Sequence, residues 1–297
     1  MPSLPLPVLV TLVALCGVVA LVAAVRRRAS AEGLDGGRGP RFGNASWAAL
    51  LLAVAAAALA LWNSSAALLL VFALVSTVAL GAFVAPGTSD AAAAPPHALG
   101  LYLCIPLQYA FVASGRYELF AVTLPLVGAL ALPLLALAQG EGRAFLERTA
   151  ERYWIVMVCV YCVSHAPALL MLNAPNAAGL VAFLVVMTLA GQALYVLAMR
   201  LRREQTRSIR MAIGGAGGAA MMVAFGMMLA WLTPFAVPAA GAMALLIAAS
   251  GALGCRVLHE MRRTHPAAVA VDRELWQSDA LSFAAPVFFH AARFWLT

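Results

Sequence analysis

The sequence predicts an all-α fold, a polytopic integral membrane helical bundle of about ten transmembrane helices in one integrated domain. Three observations carry this. Of the 297 residues, 64% are hydrophobic and only 10% are charged, against roughly a quarter charged in a soluble domain. The hydrophobic residues come in runs of about 20, the length of helix that crosses the hydrocarbon of a bilayer. Of the 19 basic residues, all arginine, 17 fall in four segments between runs, residues 26–45, 139–154, 200–210 and 256–279. Only Arg116 and Arg293 fall on the other side, a bias that sets the four basic segments in the cytoplasm and both termini outside.

Residues 4–25 form the first run, ended at once by Arg26, Arg27 and Arg28. It lacks the n-region and cleavage site of a signal peptide, so it reads as a retained span. A Gly- and Arg-rich linker, residues 29–44, leads to spans at about 46–62 and 66–85, joined by the turn Asn63-Ser64-Ser65. Residues 1–96 are thus an N-terminal three-span region with a cytoplasmic linker. After the Pro- and Ala-rich connector Pro86 to Pro96, residues 97–297 begin with spans at about 97–113 and 119–138. Residues 139–154 predict an amphipathic surface helix, with Phe145, Leu146 and Ala150 on the membrane and Arg143, Arg148 and Arg152 at the head groups. Further spans are expected at about 155–172, 178–199, 211–232 and 236–257, with a short last one at 280–296.

No span carries a charge near its middle. A charge there costs roughly 2.5–3.5 kcal/mol and usually marks an ion or substrate path, so a proton-coupled transporter is disfavoured. The absence of lysine excludes chemistry on a side-chain amine. Cys159 and Cys162 have CxxC spacing, but with no second ligand pair and bilayer core around them they read as packed thiols. Gln108, Ser164, His165 and Gln192 are the polar residues at depth. Pro167, two residues after His165, frees a backbone carbonyl that the imidazole can bond; a functional role is the alternative. The glycines from Gly214 to Gly218 permit close helix approach, or a break whose amides could cradle a phosphate beside the arginines of residues 200–210. Residues 256–279 hold eight of the 31 charges, of both signs, and form a loop where a head group or nucleotide phosphate could meet protein.

Several stretches together carry a family likeness. Pro106-Leu107-Gln108-Tyr109, the run from Phe145 to Ala150, the run from Cys159 to Leu170 and the segment Phe283 to His290, which reads FAAPVFFH, resemble bacterial phosphatidate cytidylyltransferases, the CDP-diacylglycerol synthases. The likeness covers roughly residues 97–297 in order. It implies a multi-pass protein of the bacterial inner membrane with its basic loops in the cytoplasm. It further implies a cytoplasm-facing site where CTP and phosphatidic acid are joined to give CDP-diacylglycerol for phospholipid biosynthesis, a nucleotidyltransferase reaction using Mg²⁺ held by aspartates. Cations and arginines offset the charge of phosphate and triphosphate there.

The chain departs from that family where the chemistry lies. The family's L-S-D-x-x-Q-Y run corresponds to Leu189-Ala190-Gly191-Gln192-Ala193-Leu194-Tyr195, with glycine in place of aspartate, and the following loop lacks its Pro, Lys and Glu. In the second signature Arg262-Arg263 stands at the Lys-Arg pair and Asp279 at the final Asp, while the intervening K-D and G-H-G-G elements are missing. Arg262, Arg263 and Asp279 are therefore the expected remnant site, the arginines on phosphate and Asp279 as the candidate metal ligand. Arg200, Arg203, Arg207 and Arg210 are expected phosphate or head-group contacts, with a positive-inside anchor as the alternative. The expected function is a pseudoenzyme of this family that binds anionic phospholipid, above all phosphatidic acid, or a membrane protein partner. Alternatives are an active synthase with a rebuilt site, requiring Mg²⁺ and CTP, or a lipid carrier. A homo-oligomer is possible on this reading and no nucleic-acid partner is expected.

Overall fold

A computed structural model of the chain describes residues 65–84, 96–138, 145–172, 174–201, 217–264 and 276–296. The spans expected at 4–25 and 46–62, and most of the glycine run, lie outside these residues. Every element among the described residues is helical. In order they are α1 (Ser65–Val84), α2 (Pro96–Ala113), α3 (Tyr117–Ala138), α4 (Phe145–Met171), α5 (Ala177–Leu201), α6 (Gly218–Met228), α7 (Val237–Thr264) and α8 (Trp276–Leu296).

Four of them, over Tyr117–Ala138, Phe145–Met171, Ala177–Leu194 and Val237–Met261, are long and apolar enough to cross a membrane. Shorter apolar helices cover Ser65–Gly81, Gly100–Ala113 and Gly218–Met228. The chain is thus a helical membrane protein, but the expected count of ten spans is not supported. Within the run at 211–232 the described residues form an 11-residue helix followed by the 3₁₀ turn Ala230–Leu232.

α1 and α3 each bury one stripe. In α1 this is Leu68, Phe72, Ser76, Leu80 and Phe83, spaced three to four residues apart. In α3 it is Phe120, Leu124, Gly128, Leu132 and Ala136. α2 and α3 form a hairpin over Ser114 to Arg116, where Gly115 at φ 67° takes the left-handed conformation that side chains resist. Pro125 in α3 cannot bond the carbonyl of Ala121; the hydroxyl of Tyr161 donates to that carbonyl at 3.0 Å instead.

α4 is one rod. The amphipathic segment expected to lie on the surface runs directly into the following span, and Arg152, expected at the head groups, is buried. The join is the π-helical turn Met157–Cys162, which changes the phase between the charged half and the apolar half.

α5 is the hub. Residues 180–190 are all buried, among them Phe183 and Leu184 with no exposed surface. Asn176 docks its start: its Oδ1 accepts from the Gly179 amide at 3.0 Å and its Nδ2 donates to the Leu232 carbonyl at 2.9 Å. A Cβ on Gly179 would collide with that same carbonyl. α6 and α7 cross through Gly226, against Ala240 and Ala244, and through Gly241, against Val223 and Met227.

Candidate functional site

The topology sorts the charged residues to two ends. α5 starts beside Leu232 and reaches Met222 at Gly191, so its C-terminal end meets the N-terminal end of α6. α7 starts beside Phe235, which contacts Phe288 at 6.4 Å, and later meets Ala280 and Phe283 through Gly251 and Gly254. The last turns of α5 and α7, the first turn of α8 and the charged half of α4 therefore share one end. Arg148, Arg152, Arg200, Arg256, Arg262, Arg263 and Asp279 belong to it. The segment expected as a loop at 256–279 is helical at both sides, with Arg256, Glu260, Arg262 and Arg263 on α7 and Asp279 on α8. Charged residues at a helix end pass beyond hydrocarbon without ending the helix.

Asp279 stands in the first turn of α8 and is 1% exposed. A carboxylate there is favoured by the unpaired amides and the dipole of the helix N-terminus. Two glycines of α7 bring that turn so deep into the bundle. A Cβ on Gly251 would sit 3.3 Å from that of Ala280, and one on Gly254 would overlap Phe283. Ser282, one turn on, is buried on the same face at 3%. Arg262 and Arg263 lie in the last turn of α7, and Arg200 in the last turn of α5; the side-chain positions of all three lie outside what the structure describes. Arg203, Arg207 and Arg210 lie outside the described residues.

For the cation that the family resemblance implies, the donors fit poorly. Among the described residues no group of three or more His, Cys, Asp or Glu side chains is placed to hold a metal. Gly191 stands where the resemblance leads one to expect an aspartate. A Cβ there would meet only Met222, in ordinary contact at 3.8 Å, so the missing carboxylate is not a steric necessity. A hard cation such as Mg²⁺ takes one or two carboxylates plus substrate oxygens; on the described residues only Asp279 is a buried carboxylate.

A second polar cluster lies in the interior. Gln108, Ser164 and His165 have no exposed surface. Gln108 Nε2 donates to the Phe120 carbonyl at 3.1 Å and to Ser164 Oγ at 3.3 Å; Ser164 Oγ donates to the Tyr161 carbonyl at 2.7 Å. His165 Nδ1 lies 2.8 Å from the same carbonyl. A carbonyl can only accept, so Nδ1 carries the proton. The imidazole thus bonds Tyr161, not the carbonyl of Val163 that Pro167 leaves free. Rings of Phe120, Tyr161, Phe289 and His290 surround it at 4.7–5.5 Å. The cluster ties α2, α3, α4 and α8 together. Sequence reasoning found its members as polar residues in apolar runs. It missed the depth of Asp279, although Gly251 and Gly254, about one turn apart, leave the room that permits it.

The chain is 29% identical to the uncharacterized protein YnbB of Escherichia coli (strain K12) over 215 residues, 65% of this chain and 70% of that one. No protein-family model matches the chain. No solved structure matches it.

Proposed function

We propose that this chain is a multi-pass protein of the bacterial inner membrane, with its basic end in the cytoplasm, that binds anionic phospholipid on a degenerate phosphatidate cytidylyltransferase-like scaffold. The observation that carries the reading is Asp279, buried at the basic end where α5 and α7 also terminate, with no second buried carboxylate among the described residues. Several arginines suit a phosphate head group, and a single carboxylate gives two metal ions little to bind. A groove of about 170 Å³ between α3 and α4, lined by Gly128, Ala129, Pro133, Leu146, Thr149 and Tyr153, supports the lipid part, because it offers an acyl chain an apolar berth on the half of the bundle bearing Arg148 and Arg152. The partner on this reading is phosphatidic acid, joined by a second membrane protein or another copy of the chain.

Labelled CTP incubated with the purified protein, phosphatidic acid and Mg²⁺ in nanodiscs, beside an authentic synthase, tests this. The expected result is no CDP-diacylglycerol above background, together with retention of phosphatidic acid over phosphatidylcholine. Metal-dependent product that disappears in Asp279→Ala would instead make the chain an active synthase with a rebuilt site.

A further inference from the structure

His165 carries a ring nitrogen that the fold leaves unmet. Its Nδ1 donates to the Tyr161 carbonyl at 2.8 Å, so Nε2 has a lone pair and no proton. That nitrogen is buried and has no hydrogen-bond partner among the described residues. A buried acceptor left unmet costs about 1–3 kcal/mol. An imidazole that binds metal has the same form, with one nitrogen pinned to a carbonyl and the other bare.

A second imidazole stands beside it. His290 of α8 is exposed, and its ring centroid lies 5.5 Å from that of His165, with the planes tilted by 51°. Two imidazoles on one ion, each with its nitrogen about 2.0 Å from the metal, set their centroids about 5–6.5 Å apart as the angle at the metal opens from bent to linear. The two histidines meet that span from different helices. Rings of Phe120, Tyr161 and Phe289 wall the pair, and among the described residues no third His, Cys, Asp or Glu joins it. Zn²⁺ asks for three or four protein ligands and Mg²⁺ for oxygens, whereas a soft monovalent ion such as Cu⁺ is served by two nitrogens. Arg293, about one turn past His290, has its guanidinium stacked on Tyr117. Its charge penalises a divalent ion more than a monovalent one.

We propose that His165, through Nε2, and His290 form a two-nitrogen site for a soft monovalent metal ion of the Cu⁺ class. The ion would meet the unpaired lone pair of His165 and join α4 to α8. An approach exists opposite the basic end. There Phe289, whose ring lies 5.3 Å from those of both histidines, lines a cavity of about 220 Å³ that the thioether side chain of Met171 also lines. His290 is about three turns along α8 from Asp279, so the site is separate from the basic end and independent of the lipid reading.

The test is an Ag⁺ titration of the full chain in detergent with its five histidines labelled by ¹⁵N, Ag⁺ being a redox-stable probe for this class of ion. Ring-nitrogen shifts report each imidazole separately, whatever the cysteines take up. The expected result is that Nε2 of His165 and one nitrogen of His290 shift together along one binding curve. His290→Ala, at an exposed position, should raise the Ag⁺ concentration needed to shift His165 by more than about a hundredfold, since loss of even an outer-shell partner costs up to that much. His165→Phe, which keeps a ring in the aromatic cluster, should do the same to His290. His259→Ala, exposed on α7 toward the basic end, should change neither curve. An unshifted His165 in excess Ag⁺ would overturn the proposal and leave its Nε2 to a buried water. A His165 shift that survives intact in His290→Ala would overturn it equally.

Discussion

α3 and α5 are both apolar helices long enough to cross a membrane, yet 28% of the residues in an 18-residue stretch of the first and 72% of Ala177–Leu194 in the second are buried inside the protein. On α3, Leu126, Leu130, Leu134 and Leu137 are more than half exposed. On α5, four neighbouring elements close around residues 180–190. Lipid tails are as apolar as leucine, so hydropathy marks a span and says nothing of which side faces protein. Small residues and polar bonds make the difference: α5 is fixed by Gly179 and Asn176 at its start, whereas α3 is held along one stripe.

The sharpest break in this comparison is Gly179→Val. Its side chain would enter the Leu232 carbonyl, and destabilisation above about 4 kcal/mol is expected, read as a lost folded baseline in detergent-induced unfolding. Phe183→Ala removes a ring with no exposed surface and should cost about 3–5 kcal/mol in the same titration. A cost as small as that of a surface leucine would mean that α5 is not the hub. Gln108→Leu strips two hydrogen bonds from the polar cluster and should cost about 1–3 kcal/mol, while Gln108→Glu tests whether shape alone suffices. Leu130→Ala on the open side of α3 should change stability by less than about 0.5 kcal/mol. A loss of 2 kcal/mol or more there would show that another surface covers α3 in the assembled protein.

Several boundaries were legible because turn residues flank them. The expected spans at 97–113, 119–138 and 178–199 lie close to α2, α3 and α5, bounded by Pro96, Gly115 and Asn176. The polar residues at depth were legible by contrast with their neighbours. Their partners were not, since Gln108 and Ser164 stand 56 positions apart and only packing brings them together. The charged stretches misled in two places. Around Arg256 and around Asp279 charge predicts a loop, whereas α7 and α8 continue through it; in residues 145–154 it predicts a surface helix, whereas the segment is the first half of α4. The basic end of the bundle was legible through the clustering of arginines, but the burial of Asp279 depends on Gly251 and Gly254 of a different helix.

The π-helical turn at Met157–Cys162 has a further consequence. It holds one residue more than α-helical winding needs, and one residue of α-helix is about 100° of rotation. The rod therefore works as a phase adjuster: it turns Arg152 toward the protein at one end while His165 faces inward at the other. Shortening it by a single residue would keep nearly every side chain of α4 and swing its charged half out of alignment with its apolar half. Which groups meet along this span is set by the length of chain between them as much as by their identity.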